Sequence, residues 1–260
     1  MDQLRISLVQ MDIHWEDKEK NLQRTEELLK PLAGQTDLIL LPEMFSTGFS
    51  MNAKKHAEDI YGKTLQTIKQ WANTYQFAIC GSILARDPGT DSFYNRAFFI
   101  TPEESYYYEK RHLFRMGGEQ EIFTQGDEIV VVPHKGWNVR LAICYDLRFP
   151  VWLRNKNNEY DVLLLVANWP SARKHAWLTL LKARAIENMA YVAAVNRVGK
   201  DIHGNEHSGD SVFIDYKGQI MQKTEDGKEH IITETFSLEA LNRFRTKFPA
   251  WMDADDFHIK

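Results

Sequence analysis

Short, nearly all-apolar runs recur along this 260-residue chain, at residues 6–9, 38–41, 77–83, 97–100, 129–132, 141–144, 162–166 and 191–195. Runs of this length and purity suit strands covered on both faces, where alternation of polar and apolar residues disappears. Between several of them lie stretches of helical period. Residues 18–32 gather Leu22, Leu28, Leu29 and Leu32 on one side, with Pro31 as a stop. Residues 65–75 turn Ile68, Trp71 and Ala72 inward, and residues 172–189 space Leu178, Leu181, Ala185 and Met189 three or four apart. Strands alternating with helices predict layered α/β packing.

Composition narrows the partners. Apolar residues make up 43% and charged residues 26%, and the net charge is −4, which supplies no electrostatic reason for binding nucleic acid or anionic lipid. The densest apolar stretch, 162–167, has strand length and is far too short for a membrane span. Met1-Asp2-Gln3-Leu4-Arg5 enters a strand pattern without the long apolar core of a secretion signal, and Cys80 and Cys144 form no disulfide framework; both point to a reducing cytoplasm. No repeat, low-complexity tract or linker interrupts the chain, so one domain over 1–260 is expected. Residues 204–209 and 87–91 read as surface loops or turns. The tail from about 246 is aromatic and acidic, and Trp251 and Phe257 suggest that it docks on the body or on a second subunit.

Three reactive side chains occupy one topological position. Glu43 follows Asp37-Leu38-Ile39-Leu40-Leu41-Pro42, Lys110 follows Ser105-Tyr106-Tyr107-Tyr108-Glu109, and Cys144 follows Val139-Arg140-Leu141-Ala142-Ile143. Each run reads as a strand, and open α/β sheets react at the C-terminal lip of their strands. If those strands run parallel or nearly so, the three groups meet on one rim. Singly, each has an ordinary explanation: a helix-entry acid, a solvated surface charge, a small core residue. Together they form an acyl-transfer set. A free thiol ionises near about 8.5. A neighbouring Lys110 ammonium would favour the thiolate, and Glu43 could accept the thiol proton. Lys110 and the backbone N–H of Tyr145 could then stabilise the oxyanion formed on an amide carbonyl. No histidine base is required.

Leu40-Leu41-Pro42-Glu43, Tyr108-Glu109-Lys110-Arg111-His112-Leu113 and Ile143-Cys144-Tyr145-Asp146-Leu147-Arg148-Phe149-Pro150 resemble the three signature blocks of the nitrilase, or carbon–nitrogen hydrolase, superfamily. The resemblance extends through Ala167-Asn168-Trp169-Pro170, Ala183-Arg184-Ala185-Ile186-Glu187-Asn188 and Gly209-Asp210-Ser211, and covers residues 4–251. It implies a four-layer α-β-β-α sandwich, with Glu43 as acid/base, Lys110 as stabiliser of the intermediate and Cys144 as nucleophile. It also implies a second glutamate beside the lysine: Glu119, with Glu121 as competitor. A homodimer follows from the same resemblance.

Nitrilases proper show Cys-Trp-Glu at the nucleophile, whereas this chain has Cys144-Tyr145-Asp146, which turns the reading from nitriles to amides. The Cys-Tyr-Asp-x-Arg-Phe-Pro form, with Asn168-Trp169-Pro170 and Lys247-Phe248-Pro249-Ala250-Trp251, is similar to bacterial ω-amidase-like proteins. Such enzymes release ammonia from 2-oxoglutaramate or 2-oxosuccinamate. Other readings are another short-chain aliphatic amidase, an N-carbamoyl hydrolase, or a silent interaction module that kept the fold. Arg173 could pair with a substrate carboxylate bidentately. Phe45, Phe49 and Trp169 could wall the pocket, and Arg148 is expected to hold the nucleophile turn through Asp146 or a backbone carbonyl. His203-Gly204-Asn205-Glu206-His207 lacks the glutamate next to its first histidine that a zinc protease helix requires. Neither a phosphate-binding glycine loop nor a G-x-S-x-G elbow occurs. No metal and no cofactor are expected.

Overall fold

The computed structural model describes residues 2–259. Five strands open the chain: β1 (Gln3–Gln10), β2 (Leu38–Leu40), β3 (Ala78–Arg86), β4 (Phe93–Ile100) and β5 (Ser105–Glu109). A second series follows, β6 (Val131–His134), β7 (Trp137–Ile143), β8 (Val162–Ala167) and β9 (Tyr191–Asn196). After it come the hairpin β10 (Val198–Lys200) and β11 (Glu206–Ser208), then β12 (Val212–Ile214), β13 (Ile220–Lys223) and β14 (His230–Ser237). The helices are α1 (Lys18–Leu29), α2 (Ala53–His56), α3 (Lys63–Tyr75), α4 (Glu119–Ile122), α5 (Lys174–Asn188) and α6 (Leu238–Lys247). Among the described residues twelve of these strands assemble into two six-stranded sheets, ordered β14-β1-β2-β3-β4-β5 and β13-β12-β9-β8-β7-β6, and β10 pairs with β11 apart from them.

Adjacent residues of one strand divide between two cores. Leu38 and Leu40 face the second sheet, in a cluster with Val139, Leu141 and Ile143 of β7. Ile39 and Leu41 face the other way, onto Leu22 and Leu29 of α1 and Ile68, Trp71 and Ala72 of α3. A strand buried on both sides must be apolar at every position, which is why these runs lack alternation. Trp177, Leu181 and Ala185 of α5 join the core of the second sheet. Two mixed sheets flanked by helices form the α/β sandwich that the sequence predicts.

Strand direction explains the shared rim. β2 runs parallel to β3, β4 antiparallel to β3, and β5 antiparallel to β4, so β2 and β5 point the same way. In the other sheet β7, β8 and β9 are mutually parallel. Several boundaries differ from expectation. The helix predicted over 18–32 ends at Leu29 and tightens into a 3-10 turn over Lys30–Leu32, because Pro31 has no N–H to continue the ladder. Helix α5 starts only at Lys174, after a 3-10 turn over Ser171–Arg173. The run 129–132 pairs instead as Val131–His134, an edge strand that tolerates Pro133. The loop expected over 204–209 carries β11, paired antiparallel to β10. Beyond α6 the tail lies on the body: the Lys156 ammonium donates to the Phe257 carbonyl at 2.9 Å and pairs with Asp256 at 2.8 Å. Among the described residues no helix is long and apolar enough to cross a membrane.

Candidate active site

Glu43 leaves β2 through Leu41 and Pro42 and crosses towards the second sheet, its N–H donating to the Ala167 carbonyl at the end of β8, 3.3 Å away. Its carboxylate is fully buried. Oε1 accepts from Lys110 Nζ at 2.8 Å and from Asn95 Nδ2 at 2.7 Å, and Oε2 accepts from the Asn168 N–H at 2.9 Å. Lys110 is placed by its own backbone, donating to the Asn95 carbonyl and accepting from the Gly126 N–H. A Cβ on Gly126 would sit 2.3 Å from the Glu109 carbonyl oxygen, so only glycine lets the returning chain lie this close.

Glu119 opens α4 behind Gly118, whose left-handed backbone (φ 78°) turns the chain inward. Glu119 Oε2 accepts from Lys110 Nζ at 2.7 Å and from the Phe114 N–H at 2.6 Å, and its Oε1 from Asn95 Nδ2 at 3.1 Å. Glu121 is exposed, and its carboxylate accepts from the Gln120 side-chain amide. Of the two glutamates the sequence left open, Glu119 is thus the one at the lysine.

Cys144 begins a 3-10 turn (Cys144–Arg148) directly after β7 and has a φ of 43°, a left-handed conformation that a side chain disfavours. Asp146 holds this turn. Its Oδ2 accepts from the Ile143 N–H at 3.0 Å and the Tyr108 hydroxyl at 2.8 Å; its Oδ1 accepts from the His112 N–H at 3.0 Å and lies 2.8 Å from His112 Nδ1. Tyr108 in turn accepts from Trp152 Nε1 at 2.9 Å. The Cys144 thiol faces the Glu43 carboxylate and the Asn168 N–H.

Burial pushes the Cys144 thiol well above its ordinary ionisation range, and the negative charge of Glu43 pushes it further. Lys110 pulls the other way and loses. The expected thiolate-favouring action of Lys110 is therefore real but outweighed, and Cys144 rests as a thiol at neutral pH. Burial acts to lower the ionisation of Lys110, yet the opposing charges of Glu119 and Glu43 raise it above the usual lysine range, so it stays an ammonium. Burial also raises Glu119 above the usual carboxylate range, against the pull of Lys110.

These groups open into a cavity of about 800 Å³, with Cys144, Lys110 and Asn168 in its lining. Phe49, Phe114, Tyr145 and Trp169 supply apolar wall, and Arg148 and Arg173 supply positive charge. The Arg148 guanidinium lies over the Trp169 ring at 5.0 Å, and that of Arg173 over Phe114 at 5.2 Å. Arg148 thus faces the cavity and leaves the nucleophile turn to Asp146. Phe45 does not reach the cavity: it is fully buried against Phe98, with ring centroids 6.0 Å apart. His207, also in the lining, is lowered to about 4 by burial and by Arg197, so it contributes a neutral imidazole. Among the described residues no cluster of His, Cys, Asp and Glu could hold a metal ion.

Residues 5–246 match the family model for carbon-nitrogen hydrolases. The chain belongs to the carbon–nitrogen hydrolase family. It is 43% identical to omega-amidase YafV of Yersinia enterocolitica, over 99% of both chains, and 30% identical to the 2-oxoglutaramate amidase of Bacillus subtilis, over 95% of this chain and 96% of that one. Its fold superposes with a TM-score of 0.97 on the crystal structure of XC1258 from Xanthomonas campestris, a CN-hydrolase superfamily protein with an arsenic adduct in its active site. That protein is 45% identical, with both chains covered completely.

In this carbon–nitrogen hydrolase, sequence reasoning missed Asn95, which bridges both glutamates from the middle of β4, and the Tyr108–Asp146 bond behind the nucleophile. Tyr108 and Asp146 stood two residues from Lys110 and Cys144, a signal that was available. Asn95 had none.

Proposed function

We propose that the protein is an ω-amidase that hydrolyses the terminal amide of 2-oxoglutaramate or 2-oxosuccinamate to the keto acid and ammonia. The observation that carries this reading is the convergence of Cys144, Lys110, Glu43 and Glu119 on one buried locus beside a cavity with cationic walls. The similarity to an omega-amidase and a 2-oxoglutaramate amidase, each across nearly its whole length, supports the substrate class.

Because the thiol rests protonated, attack and deprotonation are coupled. Glu43 takes the Cys144 proton as Sγ bonds to the amide carbon. The carbonyl oxygen becomes an oxyanion, met by the Lys110 ammonium and by the Tyr145 N–H, one of the first N–H groups of the turn that have no intrahelical acceptor. Losing one such donor costs about 2.7–4 kcal/mol of barrier. As the intermediate collapses, Glu43 returns its proton to the leaving nitrogen and ammonia departs, leaving a Cys144 thioester. Glu43 then deprotonates water for attack on the thioester and passes that proton to the expelled Cys144 sulfur, which restores both groups. Glu119 shares the Lys110 ammonium and, with Asn95, keeps it aimed.

The far carboxylate of the substrate pairs with Arg173 in this reading, while Phe49 and Trp169 flank its carbon chain. Asn168 Nδ2, without a hydrogen-bond partner among the described residues, supplies a further donor at the cavity. We also infer a homodimer, a cytoplasmic setting consistent with the unpaired Cys80 and Cys144 thiols, and one hydrolase domain across residues 1–260.

Incubation with 2-oxoglutaramate should release one ammonia per keto acid formed, and intact-mass spectra of the unaltered protein quenched in acid during turnover should carry the acyl adduct on Cys144. Cys144→Ala should abolish turnover while leaving the circular dichroism spectrum unchanged. Turnover that survives that substitution would sink the mechanism, and a higher kcat/KM for a carbamoyl compound in a parallel substrate panel would replace the substrate assignment.

A further inference from the structure

A second cavity, of about 330 Å³, shares no lining residue with the first. It lies against Arg140 of β7, the segment Val151–Tyr160 and the tail residues Phe257–Ile259. Arg140 is the unusual member. Of the five arginines buried among the described residues, Arg96, Arg184, Arg197 and Arg245 each hold a carboxylate oxygen at 2.6–2.7 Å. Arg140, 1% exposed, makes no ion pair among the described residues. Its Nη2 donates to the Trp152 carbonyl at 3.0 Å and its guanidinium lies over the Trp152 ring at 5.5 Å, but its Nη1 has no hydrogen-bond partner among the described residues.

A guanidinium carries five N–H donors and keeps its charge, so a ring face and one carbonyl leave it far from satisfied. A buried charge is ordinarily paired, whereas the carboxylates that act on Arg140, those of Asp146 and Glu159, stand beyond ion-pair distance and leave room for a direct partner. The cavity beside it gathers further cations, Arg111, Arg154 and Lys156, against two carboxylates, Asp127 and Glu159. Lys156 already holds the tail through Asp256 and Phe257, and the Arg154 Nη1 donates to the Glu187 carbonyl. Arg111 donates to the Gly126 carbonyl and its guanidinium lies over the same Trp152 ring at 5.2 Å. Ile129, Val131 and Val151 complete the wall with apolar surface.

We propose that this cavity is a binding site for a small organic anion, whose carboxylate or phosphate pairs with the buried Arg140 guanidinium while its short carbon body rests on Ile129, Val131 and Val151. Planar or tetrahedral oxyanions match the arginine fork, and the mixed wall fits a metabolite-sized ligand better than a bare ion. The site stands apart from the substrate cavity and does not depend on the reaction assigned there.

Isothermal titration of succinate and of inorganic phosphate at constant ionic strength tests this. The protein would be the full chain carrying Arg173→Met and alkylated at Cys144, so that the substrate cavity is silenced. One-to-one saturable binding of at least one probe is expected, weakened about tenfold or more by adding Arg140→Met. Adding Ile129→Trp instead, at a half-exposed wall position, should block it sterically. Binding of succinate alone identifies a carboxylate ligand, and binding of phosphate alone a phosphoryl ligand. The proposal is overturned if neither probe saturates or if binding survives Arg140→Met. Should the Arg140→Met chain fail to fold, unaltered binding in Ile129→Trp overturns it equally.

Discussion

The Glu43–Lys110–Glu119 cluster and the network around Asp146 both reach Cys144 and both are buried, yet their carboxylates are filled differently. Asp146 has four protein partners on its two oxygens: the Ile143 and His112 N–H groups, the Tyr108 hydroxyl and His112 Nδ1. A carboxylate offers about four acceptor sites, so those of Asp146 are all taken. Glu43 has three donors, from Lys110, Asn95 and the Asn168 N–H, and turns its remaining capacity towards the thiol. One carboxylate is therefore a fixture and the other an acceptor in waiting.

Removing Lys110 attacks the unsaturated side hardest. Lys110→Met leaves two buried carboxylates without their cation, a change of the kind that costs about 3–5 kcal/mol. Scanning calorimetry should record a fall in Tm on the order of 10 °C, and ammonia release should drop below detection. A near-normal Tm would mean that the cluster is not the buried ion network described.

Glu43→Gln separates proton transfer from thiol reactivity. General acid–base catalysis contributes about 10²–10⁴-fold, so turnover should fall by that order. The same substitution removes a negative charge that holds the thiol protonated. In the unaltered protein Cys144 alkylation by iodoacetamide should be slow at neutral pH and rise into the alkaline range; in Glu43→Gln the profile should move to lower pH and the rate at pH 7 should increase. A profile that does not move contradicts the opposed roles of Glu43 and Lys110 at the thiol.

Tyr108→Phe probes the saturated side. It deprives Asp146 of a donor and Trp152 Nε1 of its acceptor, which should cost about 1–3 kcal/mol of stability in chemical denaturation. Turnover should fall by about tenfold or less, with KM and the alkylation profile unchanged, because the network positions the turn and exchanges no proton. A shifted alkylation profile would erase the distinction between the two networks.

The three reactive residues were legible because each follows a run that reads as a strand, and strand direction does the rest. Phe45 was misread because Met44 adopts a left-handed backbone (φ 49°), which swings the next side chain away from the rim and into the core against Phe98. Asn95 could not be found from its neighbours, since its burial comes from the pairing of β4 with β3 and from Ser82, whose hydroxyl donates to its Oδ1 at 3.0 Å. The protonation of Cys144 likewise escaped a reading that weighed Lys110 alone, since burial and Glu43 act only once the sheets are packed. Strand β14 and helix α6 drew no prediction, though β14 pairs along all of β1.

The backbone at Cys144 carries a cost that evolution ordinarily relieves with glycine. An L-residue held in the left-handed region forfeits about 1–2 kcal/mol that glycine does not, and the 43° φ of Cys144 is imposed by the Asp146 clamp. The nucleophile is therefore a tenant at a site whose stability optimum lies with another residue. Between two inert proteins, Cys144→Gly should melt higher than Cys144→Ala, so the thiol is kept at the expense of foldedness.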